Sequence, residues 1–330
     1  MDILMQWGIH VILALQSVSG WTEVMKFYSL FGTEEFFLVV MPVLYWCVDS
    51  AVGIQLGIAL IASSSLNSLL KVAFHLPRPY WVDQRVIGLS TETTYGLPSG
   101  HAMVSTTLWG LLAAHLRRWW TWAAALALIS LISLSRLYLG VHFPTDVVAG
   151  WVFGALVLVA LMAWERPLAA ALRPLSLGQQ IGLAFAVSVA YLALYDGVLA
   201  LIAATPDPAA WAQTAALAGL PHAGQLAIDP RNPSEAVTGA GLIFGLGTSL
   251  ALLARRPCFV VRGPWHLRAL RVVVGLAGVL VFWLGLGLIT PAQPIVAAAV
   301  VRYLRYSSTV CWALYGAPLV FTRLGLAEAE

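Results

Sequence analysis

Long apolar segments alternate with short polar ones along most of this chain. Five of them carry no charged side chain over about the 20 residues that a helix needs to cross a bilayer: Ala51–Leu70, Trp119–Ser135, Val147–Trp164, Ala236–Ala254 and Val272–Thr290. Four further segments are apolar with few charged or titratable side chains: Phe36–Val48, Ser99–Leu116, Leu177–Ala204 and a segment within Ala292–Thr322. The pattern predicts an all-α fold, a polytopic transmembrane helix bundle of about nine spans.

The composition supports a membrane protein. Of 330 residues, 60% are hydrophobic and 10% are charged, whereas soluble domains have about 25% charged residues. So few charges exclude a disordered chain and an ordinary soluble enzyme. The formal net charge of +3 is too small to indicate a nucleic-acid partner, and three cysteines far apart in sequence give no disulfide framework.

The arginines and lysines indicate an orientation. Loops on one side, which include Arg117, Arg118 and Arg255, carry more cations than loops on the other side. The positive-inside rule makes the first side cytoplasmic, together with the C-terminus. The loops 71–98 and 140–145 then lie outside. The short loops favour the inner or plasma membrane of a bacterium.

Two segments lie outside the main spans. Residues 1–30 contain an apolar stretch with an acid and no Lys or Arg ahead of it, unlike a signal peptide, so we predict an attached interfacial helix. The loop 205–235 is interrupted by prolines, and its middle, Pro208–Leu220, could lie flat on the membrane surface. Within the spans, the pairs Gly150/Gly154 and Gly241/Gly245 predict close helix packing.

Three polar motifs occur at the predicted outer ends of spans. The first runs from Lys71 to Arg78-Pro79, the second is Pro98-Ser99-Gly100-His101, and the third runs from Ser135-Arg136 to Asp146. Taken singly, each has an ordinary explanation, because a cation at a helix end usually snorkels to the interface. Three such motifs in one chain, with complementary chemistry, favour a common site.

The chemistry of the three motifs suits a phosphoryl group. Lys71, Arg78 and Arg136 supply positive charge, and arginine can bind phosphate oxygens in a bidentate way. Ser99 and Gly100 open a helix, and we expect their backbone amides to be free to bind an anion.

A histidine and an acid stand four residues apart in the third motif. Asp146 can reach one ring nitrogen of His142 and leave the other nitrogen as a nucleophile. His101 can then serve as a general acid for the leaving oxygen.

These motifs resemble those of the type-2 phosphatidic acid phosphatase superfamily, the membrane relatives of vanadium haloperoxidases. The pattern K-x6-R-P, P-S-G-H and S-R-x5-H-x3-D is matched without a gap at residues 71–79, 98–101 and 135–146. The resemblance implies a six-helix phosphatase core at 31–165, followed by completing spans at 166–330. It implies that Lys71, Arg78, Ser99, Gly100 and Arg136 bind phosphate.

The resemblance also implies roles for the three remaining motif residues. His142 would form a phosphohistidine, Asp146 would orient His142, and His101 would protonate the leaving group. No metal or cofactor is implied.

The branch of the superfamily is suggested by weaker signals. Gly32–Phe37 with Pro42, Trp46 and Asp49 is similar to the first span of sphingosine-1-phosphate phosphatases, and the layout of about nine spans also resembles glucose-6-phosphatase. We therefore expect a phosphoric monoester hydrolase that acts on a lipid phosphate within membrane lipids, at the extracytoplasmic face. The alternatives are an isoprenyl (undecaprenyl) diphosphate phosphatase, a sugar phosphatase and, in a different class, a lipid transporter or flippase.

Five further residues are secondary candidates. Tyr80 and Trp81 could line the substrate entrance or belong to an interfacial aromatic belt. Asp196, Arg302 and Arg305 fall in or near late spans, where ionisable groups are costly. They could form a structural ion pair or a second polar site.

Overall fold

The computed structural model describes residues 3–218, 227–255, 259–291, 293 and 295–328. Its helices, in chain order, are α1 Ile3–Gln16, α2 Thr22–Leu30, α3 Glu34–Cys47, α4 Ser50–Phe74, α5 Pro79–Val82, α6 Gly100–Leu116, α7 Trp119–Tyr138, α8 Pro144–Leu172, α9 Leu177–Ile202, α10 Ala209–Leu217, α11 Ser234–Leu253, α12 Trp265–Leu288, α13 Ile295–Cys311 and α14 Ala317–Arg323. A π-helical turn, Trp312–Gly316, joins the last two.

The all-α prediction is confirmed. Each expected span has a helix in the described part of the chain, and six of these helices are long and apolar enough to cross a membrane: α4, α7, α8, α9, α11 and α12. The three others, α3, α6 and α13, are shorter, with 14, 17 and 17 residues. The expected first residue of the last span, Ala292, lies outside the described residues, as does Leu220 at the end of the surface segment.

The chain forms two compact units that do not follow its linear order. The first unit comprises Met1–Phe36, Ala62–Leu161 and Tyr195–Asn232, and the second comprises Phe37–Ile61, Met162–Leu194 and Pro233–Glu330. All three motifs therefore belong to the first unit, together with a segment that follows them by about 50 residues.

Aromatic and aliphatic side chains fill the core of the first unit. Ile9 and Ile12 of α1 pack with Trp81, Tyr95 and the other members of one buried cluster. The short helix α10 packs on α5, where the ring centroids of Trp81 and Trp211 are 6.1 Å apart. The segment predicted to lie on the membrane surface is thus partly helical and contributes to this core.

Close packing of α8 on α6 explains the first glycine pair. A Cβ on Gly150 would lie 2.8 Å from the Ser99 carbonyl oxygen, and one on Gly154 would lie 2.5 Å from the Met103 carbonyl oxygen. Any larger residue would push the two helices apart. The prediction of close packing is confirmed here. The packing holds the second motif against α8, the helix that begins within the third motif.

The second unit has its own buried polar anchor. Arg271 of α12 is only 1% exposed, and its guanidinium donates to the carbonyl oxygens of Trp46, Val261, Arg262 and Leu326. These bonds satisfy a charge that would otherwise be costly to bury. In the same unit, the second predicted glycine pair is also confirmed. Cβ atoms on Gly241 and Gly245 would lie 2.7 and 2.6 Å from carbonyl oxygens of α13.

Candidate active site

The sequence positions the second and third motifs by starting a helix at each. Ser99 caps α6, because its side-chain oxygen accepts from the Ala102 N–H at 3.4 Å. Pro144 is the first residue of α8, where a proline costs no hydrogen bond. His142 therefore lies just before α8, and Asp146 lies in its first turn.

One expectation about the second motif is corrected. The Ser99 N–H is not free for an anion, because it donates to the Asp146 carbonyl oxygen at 2.9 Å. Ser99 and Asp146 are both buried, so this bond joins the second motif to the third. Gly100 is required by the close approach of α4, since a Cβ there would lie 3.0 Å from the Asn67 side-chain oxygen.

His142 lies between Arg78 and Asp146. Its Nδ1 is 3.4 Å from Asp146 Oδ2, and its Nε2 is 3.1 Å from Arg78 Nη1. The same carboxylate oxygen accepts from the Phe143 N–H at 2.8 Å, which fixes its position. This arrangement favours the tautomer with the proton on Nδ1, so Nε2 carries the lone pair that a nucleophile needs.

The electrostatic surroundings keep His142 neutral. Burial lowers the pKa of His142 well below its ordinary range, and the charges of Arg78, Arg136 and Lys71 act in the same direction. A neutral imidazole can act as a nucleophile.

Arg78 is fully buried and held by the backbone around it. Its Nε donates to the Thr94 carbonyl oxygen at 2.6 Å, and its two terminal nitrogens donate to the carbonyl oxygens of Val141 and Tyr95 at 3.0 and 3.1 Å. Lys71 lies nearby, since its Nζ donates to the Thr94 hydroxyl at 2.8 Å. The loop before the second motif thus brings two of the predicted cations together.

Arg136 is the third cation, and it has an open donor. Its Nη1 donates to the Ser29 hydroxyl at 2.7 Å, and its Nη2 contacts the Glu92 carboxylate. Its Nε is buried and has no hydrogen-bond partner among the described residues. A buried donor without an acceptor is costly, so this atom suits an oxygen of a bound anion.

Glu92 was not predicted from the sequence. Its carboxylate joins Arg78 Nη2, at 3.5 Å, to Arg136. Burial alone would raise the pKa of Glu92, but Arg78, Arg136 and Lys71 outweigh it and hold that pKa below its ordinary value of 4.5. The charge balance of the motifs could have indicated such a residue. Three cations and only one acid leave the motif site with excess positive charge, which a further acid would reduce.

The other predicted residues fall around this centre. His101 lies in the first turn of α6, and its Cδ2 would be 3.2 Å from a Cβ on Gly32. Tyr80 and Trp81 are buried, which makes them core residues and not exposed belt aromatics. Trp81 also lines a cavity of about 550 Å³, together with Pro77, Trp211 and neighbouring residues.

The late-span charges have partners of their own. In the second unit, Arg302 donates to the Thr238 hydroxyl at 3.3 Å, and the Arg305 guanidinium lies 4.4 Å from the ring centroid of Trp283. Asp196 is exposed on α9 and belongs to the first unit. Pairing between Asp196 and these arginines stays a prediction.

The segment after α9 closes onto the motif loop. The Tyr95 hydroxyl donates to the Asp207 carboxylate at 2.9 Å, and Arg231 Nε donates to the same hydroxyl at 3.1 Å. Burial and the bond to Asp207 raise the pKa of Tyr95 to about 12. The Tyr95 carbonyl oxygen accepts from Arg78, so this network helps to hold the residue that positions the Arg78 guanidinium.

Comparison with known families identifies two matched regions of the chain. Residues 52–169 match the model of the PAP2 superfamily, and residues 237–329 match the model described as PAP2 superfamily phosphatase, transmembrane extension. The chain carries a PAP2 domain with the PAP2 transmembrane extension. The superfamily predicted from the three motifs is therefore confirmed, and all three lie within the PAP2 domain.

Part of the chain is similar in sequence to several known proteins. An undecaprenyl-diphosphatase from Sulfolobus acidocaldarius is 34% identical over 134 residues, which are 40% of this chain and 64% of that protein. A probable sphingosine-1-phosphate phosphatase from Dictyostelium discoideum is 29% identical over 43% of this chain and 38% of that protein. The matched part of this chain therefore spans less than two thirds of either relative.

A solved structure is also similar. It is the crystal structure of a transmembrane PAP2 type phosphatidylglycerolphosphate phosphatase from Bacillus subtilis, which is 21% identical, with a TM-score of 0.45, over 51% of this chain and 88% of that one.

Proposed function

We propose that this protein is an integral membrane phosphatase that hydrolyses a lipid phosphate monoester through a phosphohistidine, without a metal. The observation that carries the proposal is the position of His142 Nε2, 3.1 Å from a nitrogen of Arg78 and held by Asp146 on its other side. A phosphoryl group bound by Arg78 and Arg136 would lie next to this nitrogen.

The reaction has two steps. His142 Nε2 attacks phosphorus, the bond from phosphorus to the lipid oxygen breaks, and His101 donates a proton to that oxygen. A water molecule then attacks the phosphohistidine, gives a proton to His101, and releases inorganic phosphate. Lys71, Arg78 and Arg136 stabilise the charge on the phosphoryl oxygens during both steps.

The proposal of a lipid substrate is supported by the names of the relatives and by the long apolar helices that carry motif residues. Both curated relatives are named for substrates with long apolar chains, and three of the described helices that carry motif residues are long enough to span a bilayer. A second candidate substrate, an isoprenyl diphosphate, is favoured by the 34% identity to the undecaprenyl-diphosphatase.

A substrate panel tests the proposal. Phosphate release by the purified protein would be measured with sphingosine-1-phosphate, phosphatidic acid, phosphatidylglycerol phosphate, undecaprenyl diphosphate and glucose-6-phosphate. We expect a lipid monophosphate to be the best substrate, with activity that persists in EDTA and is inhibited by vanadate. His142→Ala should abolish release, whereas His115→Ala, an exposed histidine at the end of α6, should not. Full activity of His142→Ala would refute the mechanism.

We further propose that the site faces the extracytoplasmic side, on the basis of the cation distribution. Arg85 is exposed in the loop that follows α5. An Arg85→Cys variant should therefore react with a membrane-impermeant maleimide in intact cells. Labelling only after the membrane is permeabilised would reverse the orientation.

A further inference from the structure

Glu92 occupies the position where a phosphate should bind. Its carboxylate contacts Arg78 and Arg136, the two arginines that are proposed to hold the phosphoryl group. The arginine side chains are 0% and 2% exposed, whereas that of Glu92 is 23% exposed. Glu92 is therefore the member of this cluster that solvent can reach.

The nitrogens of Arg78 already have hydrogen-bond partners, so few positions around this guanidinium remain for a phosphate oxygen. Three of its hydrogen bonds go to backbone carbonyl oxygens, which are fixed parts of the fold. Its remaining contacts are with His142, with the Thr94 hydroxyl and with Glu92. Consider a phosphoryl group beside His142 with one oxygen bound to Arg78. That oxygen must therefore approach the position of the Glu92 carboxylate.

Tyr80 anchors the backbone of Glu92, whereas the Glu92 side chain is partly exposed. The Tyr80 hydroxyl donates to the Glu92 carbonyl oxygen at 2.6 Å and accepts from the Glu92 N–H at 3.3 Å. Tyr80 is itself buried. Displacement of the carboxylate from the arginines would therefore require a rotation of the Glu92 side chain and no movement of its backbone.

We propose that Glu92 is a specificity-determining residue, an internal anion that pairs with the two arginines until a phosphate monoester replaces it. The inference rests on the proposed function, because it assigns the arginines to phosphate binding. A monoester has up to two negative charges and can displace a single carboxylate. A phosphodiester has one charge and gains nothing by the exchange. Glu92 would therefore exclude the phosphodiester lipids that surround the protein.

Inorganic phosphate is the probe that tests this directly. Its Kd would be measured by calorimetry for the wild-type protein, Glu92→Gln, Glu92→Asp and the control Glu23→Gln, whose acid pairs with Lys26 on the surface. We expect Glu92→Gln to bind phosphate more tightly by about tenfold or more, which corresponds to about 1.4 kcal/mol. Glu92→Asp should be intermediate, and the control should match the wild type.

A second measurement separates competition from a purely structural role. Glycerophosphoglycerol, a singly charged phosphodiester, should inhibit Glu92→Gln but not the wild-type protein. Phosphate should also raise the Tm of Glu92→Gln by more than that of the wild type, because it replaces the missing anion. If Glu92→Gln does not fold, Glu92→Asp provides a second test, because its shorter side chain moves the carboxylate away from the two arginines and should weaken its competition with phosphate.

Three outcomes would overturn the inference. Equal phosphate affinity in the wild-type protein and Glu92→Gln would show that the carboxylate does not compete. Weaker binding by Glu92→Gln and Glu92→Asp would make Glu92 part of the binding site. Phosphate binding to none of the proteins would overturn both this inference and the proposed function, whereas the first two outcomes would leave the function intact.

Discussion

An asparagine in place of Asp146 tests the effect of the negative charge, because the side chain keeps nearly the same shape. Asp146 Oδ2 accepts from the Phe143 N–H and lies 3.4 Å from His142 Nδ1. An Asp146→Asn substitution keeps an oxygen in this place and removes the negative charge. When His142 Nε2 attacks phosphorus, the ring becomes an imidazolium, and its charge then lies about 4 Å from the carboxylate.

The size of the effect follows from that distance. Two opposite charges at about 4 Å interact by about 4 kcal/mol at the effective dielectric constant of a protein site. This energy is present in the transition state and absent with a neutral ring, so kcat should fall by about 10³-fold.

The assay is phosphate release at saturating substrate, with Asp83→Asn as the control. Asp83 pairs with the exposed Arg85 in a loop, and a surface pair of this kind contributes at most about 1 kcal/mol to stability. The control should keep wild-type kcat. If Asp146→Asn kept more than about a tenth of it, which is a loss below about 1.4 kcal/mol, the carboxylate charge would not act on the reacting histidine.

Three further predictions concern pH, packing and the loop that precedes the second motif. Because the pKa of His142 is lowered, its neutral form persists as pH falls below 6.5. The acid limb of the pH profile of kcat/KM should therefore lie below that value. An acid limb centred above pH 6.5 would contradict this prediction. Gly154→Ala puts a Cβ 2.5 Å from a carbonyl oxygen of α6 and should destabilise the protein by about 1–3 kcal/mol. Gly182→Ala, with open space around it in α9, should keep or slightly raise the Tm, because alanine favours a helix over glycine. Equal Tm values for the two variants would be inconsistent with the packing. Tyr95→Phe removes a hydroxyl with two hydrogen-bond partners and should lower the free energy of unfolding by about 1 kcal/mol. The measurement is the Tm, and an unchanged Tm would show that these bonds do not contribute to stability.

The sequence predicted the parts of the site that depend on local rules. Ser99 and Pro144 mark helix starts, and the four-residue spacing of His142 and Asp146 fixes their relation within one turn. The expected positions of the helices were also found, because long apolar segments have few other stable structures in a membrane.

Other features depend on contacts between distant segments, which no local pattern shows. Glu92 contacts Arg78 and Arg136, which are separated from it in sequence by 14 and 44 residues. The Ser99 amide was expected to be free, but α8 packs close enough to supply the Asp146 carbonyl as its acceptor. Tyr80 and Trp81 are likewise buried in a cluster that includes residues of α10, a helix more than a hundred residues further along the chain.

The return of Tyr195–Asn232 to the first compact unit limits how this protein can be divided. A shortened protein that ended after α8 would keep every motif residue, yet it would lose Asp207 and Arg231, which hold Tyr95. Recombination between α8 and the end of α9 would separate the same partners. A transplanted copy of the motif-bearing segment would therefore keep these bonds to Tyr95 only if Tyr195–Asn232 came with it.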